Sequence, residues 1–150
     1  MKKFTLTLTI LAVLNISLNA YGQCKGFVKK SCIPKLSPFL FNGQLNATQL
    51  AAGASAETQM TFYSGQTYRV LVCGQSVLGT LRFKVKDASG NLIFDSEAHN
   101  QTDVWDFKSE STQQVTIEVI VPPNTSDNKI VPTGCVGILV GFKQAESTTK

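Results

Sequence analysis

Leu81-Arg82-Phe83-Lys84-Val85-Lys86-Asp87-Ala88-Ser89-Gly90-Asn91-Leu92-Ile93-Phe94-Asp95 decides the fold class of this 150-residue chain. Leu81, Phe83 and Val85 alternate with Arg82, Lys84 and Lys86, the period of a strand with one buried and one solvated face. Asp87-Ala88-Ser89-Gly90 then turns the chain, with a glycine free to take positive φ. Asn91–Asp95 returns as the second strand of a hairpin.

The same period extends to both sides. Val115, Ile117, Val119 and Val121 share a face opposite Thr116, Glu118 and Ile120. Met60 and Phe62 lie opposite Thr61 and Tyr63. Ser64-Gly65, Pro122-Pro123-Asn124 and Pro132-Thr133-Gly134 punctuate the runs. About eight strands result, near 45–51, 56–63, 66–73, 79–86, 91–95, 103–108, 113–121 and 134–143. Short strands at this spacing, with no sustained helical period, predict an all-β, two-sheet antiparallel β-sandwich of jelly-roll-like type.

Two runs break the alternation. Tyr68-Arg69-Val70-Leu71-Val72-Cys73 and Cys135-Val136-Gly137-Ile138-Leu139-Val140-Gly141-Phe142 are nearly continuously apolar, which implies cover on both faces. Tyr68, Val70 and Val72 share one face, leaving Leu71 and Cys73 on the other. Val136, Ile138, Val140 and Phe142 likewise oppose Cys135, Gly137, Leu139 and Gly141. These strands are expected to sit together, with the N-terminal arm packed over their outer face. Gly137 and Gly141 leave room for its approach.

Residues 23–44 read as that arm, irregular and Pro-containing. Four cysteines, Cys24, Cys32, Cys73 and Cys135, fit a disulfide framework in an exported chain. Three pairings are open. The simplest joins Cys24 to Cys32 in a small loop and Cys73 to Cys135; an alternative ties the arm to the sheet through two long-range bridges. Zinc spacing is absent: there is no CxxC, and the single histidine, His99, is distant in sequence.

Met1-Lys2-Lys3, an apolar run from Phe4 to Leu18, and Ala20-Tyr21-Gly22 have the layout of a secretory signal peptide, residues 1–22, cut before Gln23. The run is too short and too polar for a spanning anchor. Gln23 departs from the small residue that lipid attachment at Cys24 would want. The sandwich domain is expected over 45–144 and a flexible tail over 145–150. The predicted location is periplasmic or extracellular, with no transmembrane segment after cleavage.

Beyond residue 22 the chain carries 12 basic and 10 acidic residues, a net charge of +2. That is too little to argue for nucleic acid. Lys25, Lys29, Lys30 and Lys35 cluster in the arm and read as a solvated face.

Gly65-Gln66-Thr67-Tyr68, Val85-Lys86-Asp87-Ala88-Ser89-Gly90-Asn91 and Trp105-Asp106-Phe107 resemble bacterial pre-peptidase C-terminal-type β-sandwich modules over about half the chain. Pro34–Pro38, Thr61-Phe62-Tyr63 and Gly134–Phe142 resemble short exported bacterial proteins of unassigned function. Both resemblances imply a sandwich, and neither implies an activity.

No catalytic set emerges. His99 lies in a polar stretch that reads as a loop, and nucleophilic catalysis by Ser or Cys needs a placed histidine. Asp95, Glu97, Asp103 and Asp106 could supply a carboxylate pair for hydrolysis, but loop carboxylates are ordinarily solvated. Asp87, Ser89 and Asn91 are candidates for calcium, against the simpler reading of a self-capped turn. Trp105 with Tyr63 could stack on sugar rings, flanked by Asp103 and Asp106; Trp105 and Phe107 on one face read first as core. Asn46, Asn100 and Asn124 match the N-glycosylation pattern, which is relevant only in a eukaryotic source. The sequence therefore predicts a non-catalytic, cofactor-free binding module for a protein, envelope component or glycan. A self-assembling envelope protein is the alternative, and a loop-carboxylate hydrolase stands third.

Overall fold

The computed structural model describes residues 20–126 and 130–143, so most of the expected signal peptide, up to Asn19, and the expected tail over 145–150 lie outside the described residues. The chain runs α1 (Ala20–Phe27), β1 (Leu40–Phe41), β2 (Asn46–Ala51), β3 (Ser55–Phe62), β4 (Thr67–Gly74), β5 (Arg82–Asp87), β6 (Leu92–Asp95), β7 (Val104–Lys108), β8 (Gln113–Ile120) and β9 (Thr133–Lys143). Two antiparallel sheets form a β-sandwich. One has the order β1-β9-β4-β7, with β2 continuing the β1 edge of β9; the other is β3-β8-β5-β6.

The strand positions follow the sequence pattern closely. The β5–β6 hairpin closes where Asp87–Gly90 predicted it: Gly90 takes φ +85°, and Asp87 N–H donates to Asn91 O at 2.9 Å. The two-residue β1 is an addition to the expected eight strands. The strand expected from residue 79 begins instead at Arg82, after a 3₁₀ turn over Ser76–Leu78 and Gly79 at φ +71°.

The sheet of β3, β8, β5 and β6 is covered on one face, and its alternation reflects that. Phe83, Val85, Val115, Ile117 and Val119 are buried inward. Outward, Lys86 Nζ meets Glu118 Oε2 at 2.8 Å and Glu57 Oε1 at 3.8 Å. Such exposed pairs contribute little each. Ser96, fully buried, accepts the backbone N–H of Phe83 through Oγ at 2.9 Å.

β4 and β9 pair at the centre of the other sheet and are covered on both faces. Tyr68, Val70, Val72, Val136, Ile138 and Val140 join the inter-sheet core. Leu71, Cys73 and Leu139 face the other way and pack under Val28, Cys32 and Leu36 of the arm. Burying each large aliphatic side chain there stabilises by roughly 1.5–3 kcal/mol.

The arm corrects one expectation. It is helical, not irregular: α1 passes into a wide π turn over Val28–Cys32 and a 3₁₀ turn over Ile33–Leu36. Cys24, Val28, Cys32 and Leu36, spaced by four, are all buried. A four-residue period exceeds the 3.6 of an α-helix, and the wide turn keeps all four on the sheet side.

That geometry also overturns the simplest disulfide pairing. Cys24 and Cys32 lie eight residues apart on a helical segment, about 12 Å along its axis. A disulfide needs Cα atoms within about 7 Å. Each cysteine instead meets the strand below it: Cys24 bonds Cys135 of β9 and Cys32 bonds Cys73 of β4, with Cα separations of 5.0 and 5.9 Å.

The glycines of β9 make this approach possible. A Cβ on Gly137 would lie 2.7 Å from Val28 Cγ2, and one on Gly141 2.7 Å from Phe39 Cβ.

Three outcomes are expected. Peptide mapping without reduction recovers Cys24–Cys135 and Cys32–Cys73; a Cys24–Cys32 peptide would refute the pairing. Removing the second bridge by Cys32→Ala with Cys73→Ala lowers unfolding free energy by about 2–4 kcal/mol, read from urea midpoints. Gly137→Ala forces Val28 away from the sheet and costs about 1–3 kcal/mol in the same assay; an unchanged midpoint would show that the arm is not seated on β9.

Candidate functional site

A sandwich has two open sides where its edge strands face each other, and here they are filled differently. Where β6 faces β7, aromatic rings close the gap. Trp105 stacks on Phe94 at 4.8 Å and on Phe107 at 4.0 Å, and His99 stacks on Phe94 at 4.6 Å. Phe107 continues to Phe62 at 4.9 Å. Trp105 is half-buried in this ladder of rings, packed against the inter-sheet core.

On the opposite side, β1 and β2 face β3 without a continuous filling. A groove of about 530 Å³ lies there. Three side-chain amides stand on its walls, Asn42 and Gln44 from the β1–β2 connection and Gln66 ahead of β4, while Gln59 of β3 and Gln114 of β8 border it from the outer face of their sheet. Tyr63 stands at its mouth, 58% exposed. The floor is Met60, Phe62, Val140 and Phe142, and no lining residue is charged.

Local structure holds these groups. Asn42 Oδ1 accepts Gln44 N–H at 3.0 Å, shaping the turn at Gly43, whose φ is +86°. The Tyr68 hydroxyl accepts the Tyr63 N–H and donates to Gln66 Oε1, both at 2.9 Å. Gln114 Nε2 donates to Gln59 Oε1 at 3.4 Å, and Gln44 Nε2 to Asn46 Oδ1 at 3.4 Å. A carboxamide has two donor hydrogens and two acceptor lone pairs, so one long bond leaves capacity for a ligand. Tyr63 was among the sequence candidates. The amides were not: they are scattered from 42 to 114, and each alone reads as an ordinary solvated side chain.

The other sequence candidates lie apart from the groove. Asp106 forms a two-pronged pair with Arg69, 2.7 Å at both contacts. Exposed Asp103 borders a separate recess of about 290 Å³ that Lys35 also lines. Asp95 pairs with Arg82 at 2.9 and 2.5 Å, and Glu97 meets the same guanidinium. His99 is in a 3₁₀ turn, Ser96–His99, rather than a free loop, with Nδ1 2.9 Å from Asp95 O. Asp87 accepts from Ser89 N at 2.9 Å, Asn91 N at 2.8 Å and Asn91 Nδ2 at 2.9 Å, so the turn accounts for the spacing of Asp87, Ser89 and Asn91. Among the described residues, no three His, Cys, Asp or Glu side chains converge on a point.

These contacts shift proton affinities. The Arg82 guanidinium holds the Asp95 carboxyl below its usual range, and the Asn91 side-chain amide and backbone N–H do the same for Asp87. A lowered carboxyl stabilises the fold above its unfolded value of about 3.9 and loses that contribution as pH falls through the folded value. The urea midpoint is therefore expected to hold down to about pH 4 and to fall below it. Asp95→Asn lowers the midpoint at neutral pH and makes the acid fall shallower; an unchanged acid limb would exclude this ion pair as its source.

No family model and no curated protein matches the sequence. Among solved structures, the chain is similar to Aeromonas hydrophila PliG, a periplasmic lysozyme inhibitor of g-type lysozyme, with 11% identity and a TM-score of 0.49, over 71% of this chain and 89% of that one. It is also similar to the CBM36-1 domain of a multidomain xylanase from the hindgut metagenome of Trinervitermes trinervoides, with 16% identity and a TM-score of 0.32, over 73% and 94%. A de novo designed double-stranded β-helix matches with 10% identity and a TM-score of 0.30, over 67% and 99%. Likenesses this distant carry no inference about ligand or activity.

Proposed function

We propose that the protein is an exported, non-catalytic binding module that holds an uncharged, hydroxyl-rich ligand, a glycan, in the groove between β1–β2 and β3. The observation that carries this is the groove's lining: three carboxamides on its walls and two at its border, two tyrosines and no ionised group. Sugar hydroxyls donate and accept at once, and amides answer both needs. Tyr63 offers an exposed ring at the mouth for an apolar sugar face.

Of the carboxylates that the sequence offered for hydrolysis, Asp95, Glu97 and Asp106 are each engaged by an arginine. This supports binding over hydrolysis. Two disulfides fit an oxidising compartment. No helix among the described residues is long and apolar enough to cross a membrane.

The test is a thermal melt of the disulfide-bonded protein with neutral oligosaccharides of glucose, xylose and N-acetylglucosamine. A bound sugar at about 100 times its Kd adds roughly 2.7 kcal/mol. The gain is expected to vanish in Tyr63→Ala and in Gln44→Ala. A shift that survives both substitutions would move the site elsewhere. No shift, with self-association in sedimentation, would favour assembly through the free edges of β3 and β7.

A further inference from the structure

The groove does not stop at Gln44 and Gln59. A second recess of about 350 Å³ lies directly beyond it, between the same two edge strands. Asn46 and Thr48 of β2 and Ala56 and Thr58 of β3 line it, above Ile138 of β9. β2 pairs with β9 and β3 pairs with β8, so no backbone ladder joins β2 to β3.

What divides the two spaces is a side-chain bridge. Thr58 Oγ1 donates to Asn46 Oδ1 at 3.3 Å, and Asn46 Nδ2 donates to Ile138 O at 3.4 Å. Both are longer than the 2.7–3.2 Å of a well-formed bond. Groups held this loosely can exchange partners with a ligand at small cost. Glu57 also lines the recess, with its carboxylate turned outward to 3.8 Å from Lys86 Nζ.

From Glu57 to Tyr63, β3 advances about 20 Å at 3.3 Å per residue. Groove and recess thus lie in line along the side of the sandwich, divided by the bridge, and together are far longer than a single sugar ring. Their lining mixes amides and hydroxyls with aliphatic side chains, and its one acid, Glu57, faces Lys86 at the rim.

Building on the glycan reading above, we propose that this cleft binds an internal run of a linear, uncharged polysaccharide, with the Asn46–Thr58 bridge gripping the chain midway. A short oligosaccharide fills only the Tyr63 half. A longer one gains contacts at Asn46, Thr48 and Thr58. Each added hydrogen bond is worth about a 2- to 10-fold gain in affinity.

The experiment is calorimetric titration of the intact protein with β-1,4-linked oligomers from disaccharide to hexasaccharide, in the glucose, xylose and N-acetylglucosamine series. Kd is expected to tighten progressively with length in one series. Thr58→Val, which swaps a hydroxyl for a methyl of similar size, flattens that length dependence. Tyr63→Ala weakens every length. A sugar that binds equally well at all lengths, with Thr58→Val without effect, overturns the extended cleft while the binding-module reading stands. Binding of no oligomer in any series overturns both. A melting temperature for ligand-free Thr58→Val close to that of the parent confirms that the variant is folded.

Discussion

Antiparallel pairing of β4 with β9 runs from Thr67 opposite Lys143 to Gly74 opposite Val136, and most of that ladder is apolar on both faces. A ladder of this kind cannot leave either side to water. The sheet of β3, β8, β5 and β6 covers one face and the helical arm covers the other. Both disulfides end on this strand pair, Cys73 in β4 and Cys135 in β9. The arm is therefore the second cover of the central ladder, covalently fastened at two points, and the groove exists because the ladder's edge strands β1 and β2 stand apart from β3.

Much of this was legible in the residues. Period-two alternation located the half-buried strands because one face of each meets water. The continuous apolar runs of β4 and β9 announced two covers, and the assignment of Leu71, Cys73 and Leu139 to the outer face is what the structure shows. The arm's helix was missed because a four-residue period over Cys24, Val28, Cys32 and Leu36 fits neither a strand nor an ideal α-helix. Pro34, Pro38 just beyond it and two cysteines also read as irregular chain. Recognising that period would have excluded the Cys24–Cys32 pairing, since it points both thiols at the sheet.

The groove was far less legible. Asn42, Gln44, Gln59, Gln66 and Gln114 share no motif and no local spacing; the fold brings them together by setting one edge of each sheet against the other. Sequence reasoning looks first for rare residues, and so it weighed the lone Trp105, which the structure seats in the ring ladder on the opposite side. Tyr63 was noticed because its strand alternation turns it away from buried Phe62. Uncharged sites leave a faint trace in a sequence, because an amide at a strand edge is as common without a ligand as with one.

The two disulfides are nested: the pair 111 residues apart encloses the pair 41 residues apart. A chain that meets its oxidant from the N-terminus presents Cys24 and Cys32 first, as immediate neighbours, and Cys135 last. Oxidation in order of emergence would close the wrong ring. In the folded arm, helical geometry holds those two thiols apart and turns each toward the strand it bonds. Thiol–disulfide exchange would have to undo any such ring. The coil of a thirteen-residue segment thus separates the native rings of the finished domain from the short ring that sequence proximity alone would favour.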